Sequence, residues 1–394
     1  MHYLDHAATS PLLPAVAEEW LRVAGIVGNA SSTHTDGQRA RRILEESRER
    51  LAAVLGCDPV EVVLTSGGTE AVNLAIQGLW RSRREDTGTI VLPDGEHHAT
   101  LDTVAALTAE GADVAPVPLD AEGRIDADAF RAAVRQEDIA LATALVANNE
   151  VGTVNDAPRL AASAAEAGIP LHLDAVAALG HLPLSFRGLR GDAAAGAGLV
   201  ALSVAGHKIG APVGTGALVV ARSARITALQ HGGGQQRGLR AGTQDVAGAA
   251  AFALAAEAAE ASRADESRRI GALRDALVQG IRERVPEAVL LGAAAGEERL
   301  PGNAHLLFPG APSESLLFLL DREGVSASAG SACQAGIAEP SHVVQAMGRT
   351  EAEARSVVRF TLGRTSGAAD VEAVLAAIGP AFARASRARS ADRS

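Results

Sequence analysis

The feature that most constrains this chain is a repeated change of rhythm, in which short, continuously apolar runs alternate with longer helix-like ones. "EVVLT" (61–65) precedes "TEAVNLAIQGLWRSR", "TIVLP" (89–93) precedes "ATLDTVAALTAEG", and "ALATALVAN" (140–148) precedes "PRLAASAAEAG". "PLHLDAV" (170–176) and "LVALSVAG" (199–206) follow. Apolar runs without polar alternation read as strands covered on both faces, and helices between them make the sheet mainly parallel. The fold class is therefore α/β. Beyond about residue 245 the pattern changes: two Ala-rich helices are expected, at about 244–262 and 266–285, leading into a smaller αβ segment. A domain junction is expected near 255–265, and "LRGDAAAGAGL" (189–199) reads as a surface loop.

Aromatic residues make up only 3% of the 394, so Ala, Val, Leu and Ile must fill the core. A formal net charge of −11 argues against general nucleic-acid binding, which needs a basic surface. The last eleven residues, "RASRARSADRS", are basic and read as a frayed, solvated tail. "MHYLDHAATS" at the start has no apolar segment of the signal-peptide kind, and no apolar run reaches the length of a membrane span. Two cysteines, Cys57 and Cys333, cannot build a disulfide framework, so a soluble, cytoplasmic setting is expected. No metal site is expected.

Lys208, in "SVAGHKIGAPVGTG", is the only lysine; the other 35 basic residues are arginine. Arginine stays protonated in proteins, whereas a lysine amine can lose its proton when desolvated or placed near positive charge. Only the neutral amine attacks a carbonyl to form an imine. Lys208 follows an apolar strand, the edge at which open α/β sheets bind ligands. An imine-forming lysine points to pyridoxal phosphate (PLP), which also needs a phosphate cradle and a carboxylate for its ring nitrogen. "SGGTEAVN", a Gly-rich turn opening a helix, suits a phosphate, with Thr69 adding a hydroxyl. Asp174, in "HLDAV", lies at another strand end, where it is either a functional carboxylate or a helix cap. Cys333 sits in "SASAGSACQAG" among small residues that cannot bury it, which favours a mobile nucleophilic thiol. Cys57, in "LGCDP", reads as structural. Asn148, Asn149 and Glu150 follow a further strand, where polar residues can simply make a turn.

Taken together, these pieces resemble the cysteine desulfurase family of the iron–sulfur-cluster type, within the PLP-dependent aminotransferase class V group. The resemblance covers nearly the whole chain. It runs from "YLDHAATSP" and "GNASSTHTDGQRAR" through "LTSGGTEAVNLAI", "EHHATLD", "NNEVGT" and "HLDAV". It continues in "GHKIGAPVGTGAL", "HGGGQQRGLRAGTQDVAG", "GSACQAG", "EPSHV" and "VVRFTLGRTS". It implies the type I PLP-dependent transferase fold: a large domain (15–258) with a mainly parallel seven-stranded sheet, and a small αβ domain (1–14 and 259–380). Residues 381–394 are then a flexible basic tail. It also implies that Lys208 holds PLP, Asp174 pairs with its ring nitrogen, and His97 stacks on the ring and moves protons. Asn149 contacts the ring hydroxyl or the substrate, while Gly68, Thr69 and His207 hold the phosphate. Thr243 reaches the phosphate of a neighbouring subunit, so a homodimer is implied. Arg359 clamps the substrate carboxylate, and Cys333 takes the sulfur of L-cysteine as a persulfide. A sulfur-acceptor protein then receives it for iron–sulfur clusters or for cofactor, tRNA, DNA or natural-product thiolation.

The chain departs from the family pattern in several places. Ala177 stands where a glutamine usually bonds the ring hydroxyl, and Ala205 where a serine usually helps hold the phosphate. "QQR" replaces the usual "QER", and "GNAS" the usual "GNPS". These changes keep two alternatives open. One is a selenocysteine lyase or another class V PLP enzyme, and the other is a weakened homologue that binds a sulfur carrier.

Overall fold

The structure is a computed structural model that describes residues 1–294, 296–330, 333–334 and 337–391. Side chains at 333, 334, 337, 338 and 388–391 fall outside the description. A seven-stranded sheet forms the centre. Its strands in chain order are β1 (Val62–Thr65), β2 (Thr89–Pro93), β3 (Asp113–Val117), β4 (Ile139–Leu145), β5 (Pro170–Asp174), β6 (Gly198–Ala205) and β7 (Gly216–Val220). Across the sheet the order is β1-β7-β6-β5-β4-β2-β3. Only β7 runs against its neighbours; every other pairing is parallel. β4, β6 and β7 are buried along their whole length, as their unbroken apolar runs require. This is the mainly parallel seven-stranded sheet that the resemblance implied.

The apolar residues separate into two main cores. The larger, from Val16 to Ala259, encloses the central sheet. The smaller gathers Leu4 and residues from Ile270 to Ala385 around a three-stranded sheet of β8 (Val289–Leu291), β9 (Asn303–Leu307) and β10 (Val357–Thr361). The chain start belongs with the second: His2–Tyr3 pairs in parallel with Val325–Ser326.

Two expectations need correction. The two Ala-rich helices are one helix of 39 residues, Val246–Arg284, which runs through the expected junction at 255–265 and passes from the larger core at Ala259 to the smaller at Ile270. The stretch between them contains no Pro or Gly. It is held in helical form by i,i+3 pairs that join Arg263 to Glu260, Arg268 to Asp265 and Arg269 to Glu266. The expected frayed tail is also helical as far as Ala391. Val374, Ile378, Ala381 and Ala385 form a buried stripe at helical spacing, which the surrounding arginines disguise in the sequence.

Arg299 ties the turn after β4 to the small sheet and is only 1% exposed. Its Nε donates to the Ala293 carbonyl at 2.7 Å, and Nη1 donates to those of Val151 at 3.0 Å and Asn303 at 3.2 Å. Nη2 donates to the Leu291 carbonyl. Gly292 adopts φ +89°, and a Cβ there would lie 2.5 Å from the Val151 oxygen, so no larger residue fits beside this clamp. Replacing Arg299 by Met strands four buried carbonyls. Denaturant titration is expected to show a loss on the order of 3 kcal/mol, against less than about 1 kcal/mol for Arg263→Ala on the helix surface.

Candidate active site

The carboxyl ends of the parallel strands open into a cavity of about 380 Å³. Among its lining residues are Gly68, Thr69, His97, Asn149, Asp174, Ala177, His207, Lys208 and Arg359. All but Ala177 were expected as site residues from the sequence, and Ala177 is the departure noted there. Of the two other expected residues, Thr243 is exposed and does not line this cavity. The Cys333 side chain lies outside the described residues; its backbone pairs with Ala338 in a short antiparallel ladder. Cys57 is buried in the large core, and burial pushes its thiol up to about 12, as a structural reading requires.

Lys208 sits in the turn that follows β6. Shielding from solvent, followed by the charge of Arg359, pushes its amine down to about 8, while Asp174 and Asp5 oppose the shift. A minor but usable share of the amine is therefore neutral near physiological pH, far more than for an ordinary lysine, as a nucleophilic amine requires. Asp174 ends β5 and is 3% exposed; burial raises its carboxyl, and the Val176 N–H donates to Oδ1 at 2.9 Å. His97 caps the helix His98–Ala109, its Nδ1 accepting from Ala99 N–H at 3.0 Å. The proton of the neutral ring is therefore on Nε2. Burial, then Lys208, pushes His97 down to about 4, so it stays neutral.

At the opposite wall, the helix Gly68–Arg81 begins at Gly67 with no side-chain cap, so its first N–H groups are free for an anion. Glycine is required here: a Cβ on Gly68 would lie 2.6 Å from Val176 Cγ2, and one on Gly216 would lie 2.6 Å from the Gly67 backbone. Ala205 is fully buried near this turn and offers no hydroxyl. Burial and Lys208 both lower His207.

Arg359, on β10, is 4% exposed. It donates from Nη2 to Asp5 Oδ1 at 3.0 Å and from Nη1 to the Asn149 carbonyl at 2.9 Å, while Nε has no partner among the described residues. Its backbone pairs with Ser328, which leads into the Cys333 segment. Asn148 is structural: its Oδ1 accepts from the N–H groups of Glu150 and Val151, which turns Asn149 and Glu150 toward the cavity. Sequence reasoning assigned no role to Asp5, His98, Glu150 or His342. Asp5 lies in the quoted "YLDHAATSP", but only the fold shows that it holds an arginine 354 positions away. Glu150 accepts from Ser341 Oγ at 2.5 Å, and His342 bonds the Glu96 carbonyl at 2.9 Å.

The donor set fits PLP: a partly neutral amine, a buried carboxylate, a neutral imidazole and an uncapped helix start surround one cavity. Comparison with known proteins agrees. The aminotransferase class-V model matches residues 2–374. A protein of Mycobacterium tuberculosis named IscS-like cysteine desulfurase is 46% identical over 98% of both chains. A solved NifS-like protein superposes with a TM-score of 0.89 at 29% identity, covering 98% of this chain and 100% of the other. A structure named SspA in complex with cysteine gives 0.76 at 30% identity, over 92% and 99% of the two chains. The sheet order and these neighbours define the type I fold of PLP-dependent enzymes. The chain belongs to the aminotransferase class V family, in its cysteine desulfurase branch.

Two fully buried histidines contribute to the acid sensitivity of the fold. Burial pushes His172 from 6.5 to about 4 and His305 from 6.5 to about 3. Both are neutral in the folded state. Below pH 6.5 the unfolded chain binds protons that the fold refuses, so their contribution is complete above that value and is lost as pH falls toward 4. The thermal midpoint of the cofactor-free protein is expected to drop over this window, and His305→Leu to flatten the drop by about 3 kcal/mol at pH 4.

Proposed function

We propose that this chain is a PLP-dependent cysteine desulfurase that converts L-cysteine to L-alanine and passes the sulfur through Cys333 to an acceptor protein. The observation that carries the reading is the convergence of Lys208, Asp174, His97 and Arg359 on one cavity. It is supported by a relative named as a desulfurase and a related protein solved with cysteine. Two domains with the limits given above are supported by the two cores, and the exposed Thr243 is compatible with contact across a homodimer. No helix among the described residues is long and apolar enough to cross a membrane. A cytoplasmic location suits a persulfide chemistry that needs reducing surroundings.

PLP, when bound, supplies the electron sink that lets the substrate Cα give up its proton. The chain's residues do the rest. Lys208 Nζ would hold the cofactor covalently, and as a free amine it would take the substrate Cα proton. Asp174 would pair with the ring nitrogen and favour its protonated form. Gly68, Thr69 and His207 would hold the phosphate, with Thr243 serving that of a partner subunit. His97 carries an Nε2–H available for proton transfer, and Asn149 would bond the ring hydroxyl or the substrate. Arg359, already held by Asp5 and the Asn149 carbonyl, presents a fixed cation to the substrate carboxylate. The Cys333 thiolate attacks the substrate sulfur. The carbon–sulfur bond breaks, its electron pair stays with carbon, carbon is then protonated, and alanine leaves with Cys333 as the persulfide. A reduced thiol of the acceptor takes the terminal sulfur and restores Cys333.

Single-turnover reaction with L-cysteine in the absence of reductant is expected to give stoichiometric alanine and a Cys333 peptide heavier by one sulfur. Cys333→Ser should retain bound PLP and yield no persulfide, and Lys208→Ala should lose the cofactor's covalent link. Bound PLP with neither product would sink the reading. Ala177→Gln restores a hydrogen bond to the cofactor, and equilibrium binding should show PLP held about two- to tenfold more tightly.

A further inference from the structure

Behind Asp174 the central sheet carries three polar side chains in otherwise apolar surroundings. Thr143 on β4, His172 on β5 and Ser203 on β6 are each 0% exposed. Thr143 Oγ1 lies 3.0 Å from His172 Nδ1, and His172 Nε2 lies 3.0 Å from Ser203 Oγ. Ser203 is the cross-strand partner of Asp174 on β6, and its hydroxyl lowers the Asp174 carboxyl. Nothing in the reaction proposed above uses these residues.

The sheet is built to make this chain of contacts. Thr143 stands opposite His172, and Ser203 opposite Asp174. The second match depends on an irregularity. β5 and β6 pair Leu171 with Leu199, but then His172 with Ala201, so β6 carries one extra residue. In an unbroken register Asp174 would face Leu202, and the Ser203 hydroxyl would turn to the opposite face.

The direction of the hydrogen bonds follows from donor counting. An ionised Asp174 only accepts, so a Ser203 hydroxyl turned to its cross-strand partner acts as the donor. Ser203 Oγ then accepts from His172 Nε2–H, and the neutral ring's Nδ1 accepts from Thr143 Oγ1–H. Every proton points toward Asp174, and hydrogen bonds so aligned polarise one another.

Resting on the reading that this cavity holds PLP, we infer that Thr143, His172 and Ser203 are positioning residues that hold the Asp174 carboxylate charged and aimed at the cofactor's ring nitrogen. None of them lines the cavity. The other titratable groups that influence Asp174 are Lys208 and Glu96.

The test is retention of PLP by the holoenzyme as a function of pH, followed by the cofactor's visible absorbance after gel filtration. Thr143→Val keeps the shape of the side chain and removes only the first donor. The acid limb of retention is expected to move up by about one pH unit, with PLP release about tenfold faster. Ser203→Ala should shift the limb at least as far. In an Asp174→Asn background Thr143→Val should add nothing, which separates Asp174 from Lys208 and Glu96. A loss of structure alone would lower the melting temperature of the cofactor-free protein and leave the limb in place. If Thr143→Val does not fold, Ser203→Ala answers the same question. Wild-type protein that holds PLP, with both variants retaining its profile, overturns the relay alone. Wild-type protein that holds no PLP overturns the relay together with the function it rests on.

Discussion

Two buried arginines carry the joint on which the site depends. Arg299 gathers carbonyls from the turn after β4 and from the small sheet, and Arg359 reaches from the small sheet to Asp5 and the Asn149 carbonyl. Both satisfy backbone oxygens that would otherwise be stranded between two cores. The planar fork of arginine suits this work, because several donors leave one rigid group in fixed directions. The wall of the cavity is thus set by the joint. Loss of Arg359 would release the Asn149 carbonyl, and loss of Arg299 would release that of Val151 two residues further on.

Within the cavity, charge is managed by crowding positive groups. Burial lowers Lys208, His97 and His207 most; Arg359 adds to the shift of Lys208, and Lys208 to those of both histidines. Each cation makes its neighbours easier to deprotonate, so the site keeps a nucleophilic amine and neutral imidazoles near pH 7. Asp174 supplies the negative charge at the back. Glu96 lies close by but behaves differently: burial pushes it up to about 8, and it serves as a neutral acid bonded to the Leu145 N–H.

The sheet could be read from the sequence because its strands are buried on both faces and therefore carry unbroken apolar runs. Lys208, Asp174 and the Gly68 turn were legible for a related reason, since polar or glycine residues directly after such runs mark strand ends. His97, Asn149 and Arg359 needed the resemblance, because nothing local distinguishes them from capping or turn residues. Asp5 and the Ser203 register were not legible at all. The first depends on a contact across the whole chain, and the second on one extra residue in β6 that no periodicity reports. The tail was misread because alanine packs well but carries little hydrophobic signal beside arginine.

The helix Val246–Arg284 has a mechanical consequence. At 39 residues it extends about 60 Å and contributes side chains to both cores. It works as a shared beam, with no proline along its length. A change of angle between the cores would have to bend that beam and stretch its hydrogen bonds. The span between Lys208 and Arg359 is therefore fixed when the chain folds, and an arriving amino acid is measured against a gauge of constant width.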